Sequence, residues 1–203
     1  MSVTDPYSPP QSALGALTPA EQYARDNGEL RYSRFWDRVG AGLIDFLIAL
    51  PLVSLDYFFG SESRYFQLYM LIPVQIFALF MHIFMVTKYG GSPGKLLVGL
   101  RIVKLDGAPV TVKEALLRYS VLWVLSIVIL AITVSAALGM SAEEYSSLSY
   151  LQRSVKLSER SHYMGWMAAA MQLWTWGGLI TVLVSKKRRA PHDFIAGTVV
   201  VRK

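Results

Sequence analysis

Polar and apolar positions are segregated along this chain into long blocks. Val39 to Phe59 reads VGAGLIDFLIALPLVSLDYFF, apolar apart from Asp45 and Asp56. Tyr65–Thr87, Tyr119–Ala142 and Ser161–Ser185 contain no Asp, Glu, Lys or Arg over 23, 24 and 25 residues. A helix needs about 20 mainly apolar residues to cross a bilayer core roughly 30 Å thick. The pattern therefore predicts an all-α membrane protein with four transmembrane helices, at about 39–59, 65–87, 119–139 and 163–185. Pro51 and Pro73 fall inside the first two and are expected to kink them, neighbouring helices satisfying the freed backbone groups.

The intervening segments differ in kind. Gly60–Arg64 is short enough to make the first two spans an antiparallel hairpin. Lys88–Arg118 contains Gly90-Gly91-Ser92-Pro93-Gly94 and then the β-branched LLVGLRIVKLDGAPVTV, with Asp106-Gly107 as a turn signal. It predicts a short hairpin at the membrane surface. Leu100–Lys104 and Thr198–Arg202 are both strand-like and lie on the same side, so they are expected to pair and leave no open edge. Ser141–Arg160 mixes Glu143, Glu144, Arg153, Lys156 and Glu159, and reads as an amphipathic interfacial helix or a plain loop. Residues 1–17, rich in Pro and Ser, predict a disordered tail. Thr18-Pro19-Ala20-Glu21 looks like the start of a short helix running to about Arg25. The expected organisation is a tail over 1–30 and a membrane domain over 31–203.

Composition sharpens this reading. The hydrophobic fraction is 53% and the charged fraction 17%, against about 25% charged in soluble domains. A soluble fold and a wholly disordered chain are both excluded. With no cysteine, disulfides, thiolate metal sites and cysteine nucleophiles are excluded too. The net charge of +6 does not require nucleic acid, because the basic residues are placed asymmetrically. Sixteen Lys and Arg precede the first span, lie in the 88–118 loop or follow the last span, and four lie in the other two loops. The positive-inside rule then places both termini and the 88–118 loop in the cytoplasm, facing anionic lipid of a cell (inner) membrane.

Little in the chain suggests catalysis or a cofactor. Gly91–Lys95 lacks the pattern of a phosphate loop, since Tyr89 stands at the first glycine position and Leu96 at the hydroxyl position. It reads as a turn leading into a strand. His82, His162 and His192 show no metal-binding spacing. His82, within the second span, is expected to bond between helices or to relay protons. Trp166 fits an interfacial belt, while Trp174 and Trp176 are expected to pack. No nucleophile–base pair is visible, so no enzyme activity and no cofactor are expected.

Asp45 is the sharpest single signal. A carboxylate near a helix centre costs about 2.5–3.5 kcal/mol on insertion scales, and such groups usually face the bundle interior and have a partner. Arg38 shares its helix face but lies two turns away, about 10.5 Å along the axis. Arg118 is the first candidate donor and Arg38 the second. Either a structural ion pair or a ligand or ion role would account for Asp45.

Arg38 and Asp45 match the opening letters of a known pattern. PHDFIAGTVVV, with Asp193, resembles its close, and GGSPGKLLVGLRIVKLDGAPVTVKEALLR, with Arg118, resembles its central block. In this combination and order the chain resembles the RDD family of multi-pass membrane proteins over roughly residues 31–203. The resemblance implies transport of an unidentified ligand, and some members are linked to cation–proton exchange. The expected function is a transporter or transport accessory for a small solute or cation, built around Arg38, Asp45, Arg118 and Asp193, with His82 and His192 as secondary candidates. The alternative is a non-transporting scaffold or assembly factor whose charges are structural. Beyond the bilayer, a homo-oligomer or another membrane protein is the expected partner, with Gly165 and Ala169 as a small-residue pair for such an interface.

Overall fold

The structure is a computed structural model that describes residues 31–60 and 63–202. The tail and the short helix expected over Thr18–Arg25 lie outside the described residues. The first span is α1 (Phe35–Phe59). The second is one continuous helix made of α2 (Phe66–Leu79), a π-helical turn at Phe80–Phe84 and α3 (Met85–Tyr89). After α4 (Pro93–Leu97) and β1 (Leu100–Lys104) comes α5 (Val112–Leu138), the third span. Two short helices follow, α6 (Ala142–Ser147) and α7 (Tyr150–Arg160). The fourth span is α8 (His162–Val184), and α9 (Pro191–Ile195) and β2 (Thr198–Arg202) complete the fold.

All four long helices have the length and apolar composition to cross a membrane. Their outer faces are bare. Leu47, Ile72, Leu173 and Val184 are exposed, as lipid-facing residues are. Trp166 is exposed as expected of a belt residue. Trp176 corrects the expectation of packing: it is 60% exposed and sits on the outer face of α8.

Most of the best-buried residues lie at the basic end of the helices. β1 and β2 pair antiparallel, Ile102 opposite Val200, which is the pairing expected from the two strand-like segments. Tyr32 bridges to Val201 on the other side of β2. The expected hairpin after β1 is reduced to a turn, in which the Gly107 N–H reaches the Lys104 carbonyl and Val103 bridges to Pro109. Leu100, Ile102 and Val200 pack with Ala41 of α1, Val86 of α3 and Ala115 of α5 in one buried cluster. The sheet thus closes one end of the bundle and ties three spans together.

The third span starts earlier than the charge-free run predicts. Thr111 and Glu114 form a capping box, the Thr111 N–H donating to Glu114 Oε2 at 2.8 Å. That satisfies free N–H groups at the helix start and carries the charged residues Lys113 and Arg118 onto the helix.

At the opposite end, the 141–160 segment is helical in two pieces, capped by Ser141 and Ser149. Met140, Tyr145 and Leu157 form a small buried cluster there. Arg64 and Arg160 donate to the carbonyls of Met140 and Gly139, each at 2.5 Å. These are carbonyls at a helix C-terminus, where a cation is favoured.

Candidate functional site

The four charged residues singled out in the sequence all lie at the sheet-capped end, but they divide into two groups. Arg38, Arg118 and Asp193 form the first. The αL glycine Gly197 (φ 64°) turns the chain from α9 into β2, and the sheet then holds α9 against α5. Asp193 is fully buried. It accepts from Arg38 Nη1 at 2.9 Å, from Arg118 Nη1 in a short ion pair, and from the Ala190 N–H at 2.8 Å. Arg118 Nη1 also donates to Thr198 Oγ1 at 2.7 Å. Arg38 is held in turn by Ser33 Oγ and the Arg188 carbonyl. Burial alone would raise the Asp193 carboxyl, but Arg118, Arg38 and the Ala190 N–H together hold it well below the usual carboxylate range.

Asp45 belongs to a second group, which corrects both expected pairings. Neither Arg118 nor Arg38 bonds it. Its Oδ2 accepts from Ser92 Oγ at 2.6 Å and its Oδ1 from the Gly94 N–H at 2.7 Å. Lys95 Nζ stands 4.0 Å from Oδ2 and donates to Ser92 Oγ at 3.1 Å. The Gly91–Lys95 segment, expected to be a turn into a strand, supplies this whole set as the start of α4. Gly94 is essential to the fit. A Cβ there would lie 2.1 Å from the Ala41 carbonyl oxygen and 2.9 Å from the Asp45 carboxylate.

Between the two groups lies a cavity of about 110 Å³. Its walls carry His82, Ser92, Lys95, Arg118, Tyr119 and His192. Trp174 also lines it, so this tryptophan packs inward. The rings of His82 and Tyr119 stack with centroids 4.5 Å apart, which fixes the histidine between the second and third spans. Burial, and then Arg118, pull Lys95 down to about 8 and His192 down to about 3. At neutral pH, His192 is therefore uncharged, and its Nε2, 3.9 Å from Asp193 Oδ1, adds no ion pair.

Ser92, Gly94, Lys95 and Thr198 were not among the expected site residues. The signal for the first three was present in the sequence. Asp45 needs donors from a loop at its own end of the helix, and Gly91–Lys95 is the flexible, donor-rich stretch there. Among the described residues, no group of His and acidic side chains is arranged to hold a metal ion. A model of the RDD family, a family of membrane proteins, matches residues 32–197. No curated protein and no solved structure matches the chain.

Proposed function

The chain belongs to the RDD family, and from that premise we propose that it moves a small solute or ion across the membrane, alone or as an accessory within a larger transport assembly. The observation that supports the reading is the convergence of polar groups from three spans on one small cavity. His82, Arg118 with Tyr119, and Trp174 line it from the second, third and fourth spans, and Asp45 of the first lies just behind Ser92 and Lys95. Ionisable groups inside a membrane bundle mark ion and substrate paths by default. Four helices are few for a complete path, so the working unit is an oligomer or a complex. Gly165 and Ala169, both exposed on α8, offer a surface for close helix approach.

The basic end faces the cytoplasm of a cell (inner) membrane in this reading, by the distribution of Lys and Arg. Single cysteines at Ser63 and Ser147 should react with an impermeant maleimide from outside intact cells, and one at Ser2 should not. Labelling of Ser2→Cys would reverse the orientation.

Flux in proteoliposomes tests the transport role. Asp45→Asn keeps the shape and removes the charge without touching the Arg38–Asp193–Arg118 group. It should abolish flux of the carried solute while the protein still inserts and melts cooperatively. Unchanged flux in a folded Asp45→Asn protein would remove this aspartate from the mechanism. Absence of flux in the wild-type protein across a panel of cations and small solutes would instead favour the scaffold reading, in which the charges only hold helices together.

A further inference from the structure

The two charged groups around the cavity do not balance. Arg38, Arg118 and Lys95 contribute three cationic side chains, and Asp193 and Asp45 two carboxylates. Arg189 adds a further guanidinium, which donates to the carbonyls of Thr198 and Asp193 and lies over the Phe194 ring. Among the described residues, no carboxylate lines the cavity itself. Asp45 and Asp193 both point into their own clamps behind the wall, so the charges facing the space are positive. Arg118 spends only Nη1 on Asp193 and Thr198, and its Nε and Nη2 have no partner among the described residues. Among the described residues, Lys95 Nζ has one hydrogen bond, to Ser92, from three donors. Excess charge at the edge of an apolar bundle is costly unless a counter-charge joins it.

We propose that this cavity binds a small anion, an inorganic ion or a compact carboxylate or phosphate group, through Lys95 Nζ and the free edge of the Arg118 guanidinium. A volume of about 110 Å³ admits such an ion with part of its hydration, at about 30 Å³ per water. Charge-assisted N–H···O bonds to a fixed guanidinium edge and an ammonium are the strong kind. The stacked His82 and Tyr119 form a rigid wall, and an imidazole N–H there adds a neutral donor. Asp45, 4.0 Å away, only partly offsets the lowering of the Lys95 ammonium by burial and Arg118, so an anion beside Lys95 would favour its charged form. The inference deepens the transport reading by giving the ligand class of the same cavity.

Binding is measured on the full-length protein in neutral detergent, exchanged into gluconate buffer, with chloride, inorganic phosphate and acetate titrated calorimetrically. At least one should give a saturable single-site isotherm. Lys95→Met should weaken it about tenfold or more, as expected for loss of a hydrogen bond to a charged group. Lys95→Arg should retain most of it. His82→Phe, which leaves the cation pair in place, should weaken it less, and it serves as the locating variant if Lys95→Met does not fold. Repeating the phosphate titration in phosphatidylcholine nanodiscs with and without phosphatidylglycerol separates two sources of the same chemistry. Loss of free-phosphate binding only with the anionic lipid identifies a lipid headgroup as occupant, and unchanged binding identifies a free anion. Flat isotherms for all three anions, binding unaltered in the variants, or a saturable response to sodium gluconate alone would overturn the proposal. Because no flux is read, a negative result here leaves the transport test standing, and a protein that binds anions without carrying solute sinks transport alone.

Discussion

Two aspartates lie at the same end of this molecule and are held in opposite ways. Asp193 is fully buried between two guanidinium groups that come from different spans, with a backbone N–H on its third side. Asp45 is partly open, clasped by a hydroxyl and a backbone N–H of one short segment, with its cation at the edge of ion-pair distance. The first arrangement joins α1, α5 and α9 through full charge–charge pairs. The second joins only α1 and α4, and it borders a cavity. A fully buried carboxylate held by two charged pairs acts as a fastener, whereas a partly open one held by neutral donors, with its cation at the edge of ion-pair distance, can respond to a ligand.

The largest expected effect follows from this contrast. Asp193→Asn leaves Arg38 and Arg118 buried without their shared counter-charge, a loss of about 3–5 kcal/mol for a broken buried pair. It should lower the melting temperature in detergent sharply and reduce the folded yield. Asp45→Asn removes a charged acceptor but keeps an oxygen for one donor, and should cost less, about 1.5–3 kcal/mol. Equal losses in the two variants, measured by thermal unfolding of the same preparations, would erase the distinction between fastener and responsive site. The Asp193 contribution is also insensitive to ordinary acid. Its carboxyl is held below the usual range, so the stability is fully present above about pH 4 and is lost only as pH falls through the depressed value.

A middle-sized effect is expected at Gly94. Alanine there would drive a Cβ into the Ala41 carbonyl oxygen, which belongs to the backbone of α1 and cannot swing away. The segment must move back, breaking the 2.7 Å Gly94 N–H bond to Asp45. Overpacking of this kind costs about 1–3 kcal/mol. The loss should be specific to the Asp45 side: Gly94→Ala combined with Asp45→Asn should be less destabilised than the sum of the two single variants. Strict additivity would show that Gly94 and Asp45 are not one unit.

Much of the fold was legible because its signals are local. Charge-free runs marked the spans, and β-branched runs on one side of the membrane marked two strands that pair, Ile102 opposite Val200. That pairing also brings Asp193 back to Arg38 and Arg118. The boundary of the third span was misplaced because Lys113, Glu114 and Arg118 ended the apolar run, although the Thr111–Glu114 capping box marked the true start. The π-helical turn at Phe80–Phe84 leaves no trace in an all-apolar pattern. The Asp45 partner was misassigned for a different reason. Position along a helix fixes the depth of a carboxylate but not which loop folds over it, and charge alone points to arginine. The real donors, a serine hydroxyl and a glycine N–H, carry no charge to draw attention to them.

The smallest expected effect tests the responsive side directly. Lys95 is drawn down from 10.5 to about 8 by burial and by Arg118, with Asp45 acting in the opposite direction. His82 and His192 also border the same cavity. A lysine with a lowered value in the folded state binds fewer protons than the unfolded chain between those two pH values. Stability should therefore rise with pH from about 8 to about 10.5, and the Lys95 penalty is complete below that window. The slope is less than the 1.4 kcal/mol per pH unit, approximately, that one full proton gives. Lys95→Met should flatten this part of the curve in denaturant titrations of the two proteins run side by side. An anion bound beside Lys95 stabilises its charged form, so saturating chloride or phosphate should move the window upward toward 10.5 in the wild type and leave the Lys95→Met curve where it was. A wild-type profile that is flat from pH 8 to 10.5, or one that ignores every anion, would place Lys95 among the fasteners with Arg38 and remove the difference between the two sites.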